Sequence, residues 1–290
     1  MNRTDQKGLY YYTHNDGSLT CHLCPHHCQL ANRQYGRCHC RRNDAGTLTV
    51  LNYGQCTAAA LDPIEKKPLY QFHPGSRILS LGFWGCNFYC PFCQNWSISQ
   101  QSAPHRLLTP QQAVDLAVHY QQQGNIGLAY TYNEPITAYE FVWDTARLAR
   151  QNGLYNVMVT NGYIEEAPLH ALLPYIDAWN IDIKAFSDTF YQQLCGGTLS
   201  PVLRTIRLAA AQSHVEVTTL IIPGYNDSKA AIKKEARWLA AVNPSIVLHL
   251  TRYFPQYKLT VPMTPNSTLK MLQKTARQYL PYVYLGNVTT

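Results

Sequence analysis

Three cysteines, Cys86, Cys90 and Cys93, stand as CxxxCxxC in the run SLGFWGCNFYCPFCQNWSIS. Thiolates are soft ligands suited to iron–sulfur and zinc sites. A four-iron cubane held by four cysteines is saturated and passes electrons, whereas one held by three leaves an iron open to a substrate or cofactor. The triplet therefore predicts a 4Fe-4S cluster with an open iron. Two blander readings compete: a zinc site, which would need a fourth ligand, and buried structural thiols.

A second group lies upstream. Cys21, Cys24, Cys28 and Cys38 are spaced CxxCx3Cx9C, with Cys40, Cys56, His22, His26 and His27 as further candidates. Four thiolates satisfy either a structural tetrahedral zinc or a second, saturated cluster. Zinc would fold a segment with little core of its own, whereas a cluster would relay electrons; the irregular spacing leans towards zinc. Nine of the ten cysteines precede residue 94, and in a reducing cytosol such thiols serve metals rather than disulfides. Cys195, alone, reads as a small buried apolar residue.

Elements that could position these groups follow from residue periodicity. The chain divides near residue 76. Residues 1–75 form short turn-rich segments carrying the metal-like cysteines and a connector, and residues 76–290 alternate apolar runs with amphipathic stretches. Strands are expected at 77–84, 126–133, 155–162, 178–184, 214–222 and 245–254, with helical stretches including 110–123, 137–151 and 228–242. Strands alternating with helices make a parallel α/β sheet with right-handed crossovers. Six βα units without a glycine-rich dinucleotide fingerprint fit a barrel or an open partial (β/α)6 barrel, with a doubly wound sheet as the alternative.

In barrel-type folds the reactive groups gather at the carboxyl ends of the strands. The expected strands end at the cysteine loop, at Thr131 to Pro135, at Asn161-Gly162, at Asp182 and Lys184, at Pro223 to Asp227, and at His249, Arg252 and Tyr253. Singly, each has an ordinary reading as a turn, an ion pair or a loop breaker; jointly they describe one polar rim. His249 and Arg252 are the candidate catalytic, substrate-facing groups, although a histidine on an apolar strand is commonly a packed core residue. The segment 62–68, DPIEKKP, reads as a stiff connector. It is either a solvated charged loop or, if packed beside the cysteine loop, a source of Lys66 or Lys67 for an anionic group.

The runs CHLCPHHC, GRCHCRRN, LDPIEKKPLYQFHPGS, GCNFYCPFCQNWSIS, AYTYNEP, TNGY, NIDIKAF and IPGYND span nearly the whole chain. Together they resemble the radical S-adenosylmethionine (SAM) member of the AmmeMemoRadiSam group, related to pyruvate formate-lyase activating enzymes. The resemblance implies a TIM-like partial barrel in which Cys86, Cys90 and Cys93 hold the cluster and the open iron chelates the amino and carboxylate groups of SAM. It implies that Glu134, with Asn133, stands where the family has a glycine-rich segment contacting the SAM amino group. Asn161, Asp182 and Lys184 would meet the ribose and carboxylate. A flavodoxin or ferredoxin is the implied electron donor, and AMMECR1-like or Memo-like proteins are candidate partners.

The chain has 290 residues with a formal charge of +7, only 14% charged residues and 21 tyrosines. Charged residues ordinarily make up about 25%. The basic residues are dispersed pairs such as Arg41–Arg42 and Lys233–Lys234, a pattern that favours anionic ligands over nucleic acid. Neither a signal-peptide run nor an 18-residue apolar stretch occurs in the sequence, so a cytoplasmic protein without a membrane partner is expected. Three functional readings follow: a radical enzyme acting on a protein or peptide, as glycyl-radical activases do; one acting on a small molecule; and a non-enzymatic electron-transfer or scaffold protein with a saturated cluster. The absence of an obvious lid after the sixth strand leans towards the first.

Overall fold

The computed structural model describes residues 6–288; the first five residues of the N-terminal stretch and the last two of the chain lie outside it. Eight strands form one sheet: β1 (Ala58–Pro63), β2 (Arg77–Gly82), β3 (Asn125–Thr131), β4 (Tyr155–Thr160), β5 (Ala178–Asp182), β6 (His214–Ile221), β7 (Val247–Arg252) and β8 (Val283–Gly286). They lie in sequence order, β2 to β8 parallel and β1 antiparallel along β2. Helices α1 (Pro110–His119), α2 (Tyr139–Gln151), α3 (Glu166–Leu172), α4 (Leu199–Ala210), α5 (Lys229–Val242) and α6 (Asn266–Ala276) fill most of the crossovers.

Local chemistry accounts for the helix starts. Thr109 Oγ1 accepts from the Gln112 amide while the Gln112 side chain accepts from the Thr109 amide, with Pro110 at the first helical position. This reciprocal cap satisfies two otherwise orphaned donors. Ser228 caps α5 through the Ala231 amide.

Side chains alternate across each strand, and the two faces of the sheet bury different things. Leu79, Leu81, Leu128, Tyr130, Met158, Trp179 and Ile181 face the helices and join the main core with Val114, Phe141 and Ile206. Ile78, Ala129, Val157 and Ala178 face the other way and are covered by Ile64 and Leu69, with Phe72 alongside. That cover is the segment following β1. It is not the solvated loop that its charges suggested: Lys67 is 2% exposed, Asn180 Nδ2 donates to the Pro68 carbonyl at 2.8 Å, and the Gln71 amide donates to Glu216 Oε1 at 2.7 Å. A parallel sheet needs both faces covered, and this segment supplies the second cover.

Upstream, Gln6–Lys7, Thr47–Val50 and Arg41–Asp44 form one small antiparallel sheet, and Tyr11–Thr13, Leu19–Cys21 and Gln29–Leu30 another. Leu19, Leu23, Leu30 and Leu48 are buried in the same core as the large sheet. Arg41, buried, pairs with buried Glu140 on α2 at 2.5 Å, and the Leu9 amide donates to the same carboxylate at 2.7 Å. The division expected at residue 75/76 falls between β1 and β2, which are hydrogen-bonded neighbours.

Candidate functional site

β2 stops at Gly82, and the loop that leaves its C-terminal end carries Cys86, Cys90 and Cys93. Gly85 has φ +92°, and a Cβ there would lie 2.0 Å from Cys40 Sγ; only glycine lets the loop turn against the upstream residues. All three thiols border a cavity of about 360 Å³, shared with Asn133, Glu134, Asn161, Asp182 and Lys184. Every expected cofactor contact thus stands with the cysteine triplet at the carboxyl ends of β2 to β5.

The second turn is built as a clamp. Tyr132 adopts φ +71°, uncommon for a residue with a Cβ. Beyond it, Asn133 Oδ1 accepts from the Phe83 amide at 3.0 Å and its Nδ2 donates to the Gly85 carbonyl at 2.9 Å. Asn133 therefore ties this turn to the cysteine loop. Glu134, 3% exposed, accepts from Thr160 Oγ1 at 2.6 Å, the Asn161 amide at 2.7 Å and the Ile136 amide at 3.1 Å. Burial pushes its carboxyl up to about 7 against the pull of those donors. Two carboxylate oxygens offer about four acceptor sites, so one remains for a cation or donor in the cavity.

Asn161 serves the loop as well: its Nδ2 donates to Asn87 Oδ1 at 2.8 Å and lies 3.8 Å from Cys86 Sγ. Lys184 Nζ donates to Asp182 Oδ2 at 2.8 Å. Burial alone would lower this ammonium, but the Asp182 and Cys90 charges beside it hold it well above the usual lysine value. Lys66, Lys67 and Pro68 also line the cavity. Lys67 Nζ is tied to Asp62 at 2.9 Å and sits 4.4 Å from the Tyr132 ring centroid, while Tyr132 Oη donates to the same Asp62 at 2.6 Å.

His249 and Arg252 are not brought to this cavity; Thr251 between them is. Strand alternation turns Arg252 to the other face, where its Nε donates to the Thr264 carbonyl at 2.8 Å. His249 shares the face of Thr251 but lies a layer deeper. Its Nε2 meets Glu216 Oε2 at 2.5 Å, and its ring packs on Tyr70 and Tyr284. Tyr253 is buried, its hydroxyl donating to the Leu259 carbonyl. Sequence reasoning also passed over Gln94, Asn95, Gln100, Thr218 and Asn287, which line the cavity. Asn95 Nδ2 donates to the Tyr132 carbonyl at 2.6 Å, and the only signal for it was its place two residues after Cys93. Cys195 is completely buried in the main core, as a small apolar residue would be.

The donor set suits an iron–sulfur cluster: all ten cysteines are unbridged thiols, and the Phe88 amide donates to Cys86 Sγ at 3.3 Å. Among the described residues, no three His, Cys, Asp or Glu side chains converge where they could share one metal ion. Upstream, Cys21, Cys24, Cys28 and Cys38 border a separate small cavity of about 20 Å³. No helix among the described residues is long and apolar enough to cross a membrane.

A sequence profile of the Radical SAM superfamily matches residues 83–236. The chain is 44% identical over 290 residues to the uncharacterized protein MJ0808 of Methanocaldococcus jannaschii, covering 98% of this chain and 85% of that one. It is 24% identical over 159 residues to the pyruvate formate-lyase 1-activating enzyme of Escherichia coli K12, covering 53% of this chain and 64% of that enzyme. Among solved structures, Streptococcus suis SuiB bound to precursor peptide SuiA is similar in fold, with a TM-score of 0.57 at 12% identity, over 69% of this chain and 46% of that one.

Proposed function

Because this chain belongs to the radical SAM superfamily, and is an enzyme of that class, we propose that Cys86, Cys90 and Cys93 hold its four-iron cluster and that it acts on a protein or peptide in the manner of a glycyl-radical activase. The observation that carries this reading is the cavity joining the cysteine triplet to Glu134, Asp182 and Lys184. In this class, a bound and reduced cluster supplies cleavage of SAM to methionine and a 5′-deoxyadenosyl radical that abstracts hydrogen. The open sheet of β2 to β8 is read as a partial barrel, with this chemistry at its carboxyl edge.

The chain's own residues bind and orient. Glu134 offers its remaining acceptor site to the SAM ammonium, and the three donors that hold it fix that direction. Asp182 accepts from ribose hydroxyls, while Lys184 neutralises a carboxylate as a point charge. Asn133 and Asn161 hold the second and third turns against the cysteine loop, so that cofactor and cluster contacts move together. Lys66 and Lys67, both paired with Asp62, add positive charge to the cavity lining. A one-electron donor of the flavodoxin or ferredoxin class would reduce the site. The protein substrate is supported by the likeness to the pyruvate formate-lyase 1-activating enzyme.

Anaerobic reconstitution with iron, sulfide and SAM, with and without extract proteins, tests the reading when followed by mass spectrometry for 5′-deoxyadenosine and for modified polypeptides. Labelled or cleaved polypeptide is the expected result; 5′-deoxyadenosine stimulated only by the small-molecule fraction would overturn the protein substrate. Within this reading, Asp182→Asn is expected to weaken SAM binding without loss of iron. A hydrogen bond to a charged group contributes about 1.5–3 kcal/mol, so the Kd should rise roughly tenfold to a hundredfold. Unchanged affinity by equilibrium dialysis would remove Asp182 from the cofactor site.

A further inference from the structure

We propose that Tyr257, at the tip of an Ω-loop that follows β7, is a positioning residue for the candidate site, holding the cysteine-loop stretch 92–95 from both of its ends. Only the identity of what that stretch faces rests on the function proposed above.

Residues 254–263 leave β7 and return towards α6 with their flanks closed on each other. The Thr264 amide donates to the Tyr253 carbonyl at 3.1 Å, and the Tyr253 amide donates to Thr264 Oγ1 at 3.2 Å. At the far end the Gln256 and Leu259 amides each donate to the other's carbonyl at 3.2 Å, and Tyr253 Oη donates to the Leu259 carbonyl at 2.7 Å. These bonds at base and tip let the loop keep its own shape as a strut. Compact surface loops with closed ends are frequently functional.

The tip meets the cysteine loop at two points. The Lys258 and Leu259 amides both donate to the Pro91 carbonyl, at 2.9 and 3.0 Å, and the Tyr257 ring stacks on Trp96 with centroids 5.1 Å apart and planes 10° from parallel. Between those points lie Phe92, Cys93, Gln94 and Asn95, and all four line the cavity. Gln94 and Asn95 are exposed, so burial does little to fix them. The Ω-loop itself lends the cavity no lining residue among the described residues. It therefore acts on the site only through the stretch it clamps.

Backbone strain marks the same residue. Tyr257 has φ +56°, a left-handed conformation uncommon for a residue with a bulky side chain. Such strain persists where the surroundings over-determine it, and it gathers at functional sites. Glycine would take this backbone freely, so what tyrosine supplies here is the ring. The Lys258 ammonium lies 5.0 Å from that ring's centroid, a second contact that favours an aromatic at this position.

Three variants of the full chain test the proposal. Tyr257→Ala removes the ring and keeps the strain, Tyr257→Gly removes the ring and relieves the strain, and Tyr257→Phe keeps the ring. Before reconstitution, iodoacetamide labelling resolved by peptide fragmentation should show Cys93 reacting several-fold faster in the alanine and glycine variants. Tyr257→Phe should label at the wild-type rate, and Cys86, which precedes the clamped stretch, should be unchanged in all three. After anaerobic reconstitution the two ring-less variants should keep their iron, yet bind SAM roughly tenfold more weakly by equilibrium dialysis, because the freed stretch must be ordered again on binding. Wild-type labelling and affinity in both ring-less variants would overturn the proposal. So would wild-type behaviour in Tyr257→Gly alone, which would make backbone fit the cause of the alanine defect, or equal defects in all three with a lowered melting temperature, which would make Tyr257 merely structural. Should Tyr257→Ala fail to fold, Tyr257→Gly, which fits the left-handed backbone, decides. A wild type that binds no SAM would instead count against the function proposed above, and Cys93 labelling would still decide the role of Tyr257.

Discussion

Cys86→Ala protein, reconstituted anaerobically, is expected to lose the SAM-responsive iron and all cleavage of SAM to 5′-deoxyadenosine. Cys86 borders the cavity and receives the Phe88 amide at 3.3 Å, so alanine removes both a thiolate and the acceptor that orients the loop. Three cysteines leave no spare ligand for a four-iron cluster with an open site; two cannot hold it. Iron should fall by about four per chain, while far-ultraviolet circular dichroism stays unchanged. Undiminished iron together with undiminished 5′-deoxyadenosine would show that the chemistry does not depend on this loop.

The second large effect concerns stability and pH. Glu216 is completely buried and accepts from the Gln71 amide, with His214 Nε2 at 2.9 Å and His249 Nε2 at 2.5 Å on its two oxygens. It fastens the segment that covers the second face of the sheet. Burial would raise this carboxyl, but the hydrogen bonds from His214 and His249 and from the covering segment hold it down to about 2, against an ordinary 4.5. A depressed carboxyl adds stability that is present above its unfolded pKa and lost as pH falls through its folded one. The window is therefore about 4.5 down to about 2, and the contribution above it is on the order of 3 kcal/mol.

Glu216→Gln is expected to lower stability by up to roughly that amount at neutral pH, and its deficit against wild type should close as the pH falls through that window. Urea unfolding at several pH values measures both. A deficit independent of pH would mean that the ionised carboxylate does not carry the effect. His249→Ala, which removes one of the partners, should lower the melting temperature and every activity in parallel. An unchanged melting temperature with loss of substrate-dependent stimulation alone would return His249 to a substrate role.

Much of this molecule was legible in local pattern. The six strands expected at 77–84 through 245–254 occur, each within two residues at either end, because strands of a covered parallel sheet read as continuous apolar runs. Two strands of the eight-stranded sheet were not foreseen. Val283–Gly286 is a four-residue edge, too short to carry a period, and Ala58–Pro63, AAALDP, is extended through its pairing with β2.

The candidate site divides along the same line. Spacing alone pointed to Cys86, Cys90 and Cys93 as the proposed ligand set, since a short stretch of chain holds the three together whatever the fold, and the strand-end rule put Glu134, Asn161, Asp182 and Lys184 on one rim. What the side chains at β7 do was decided only by tertiary structure. His249 and Arg252 end the same strand, yet alternation sends Arg252 to the far face, and Glu216, 33 residues away in sequence, takes His249 into the core. The charges of the 62–68 segment left a solvated loop and a packed one both open, and the sheet's second face, which required a cover, drew Lys67 into the interior beside Asp62 and Tyr132. Ligand spacing is a property of neighbours along the chain, whereas the partner of a buried charge comes from a distant strand, and only the assembled sheet brings the two together.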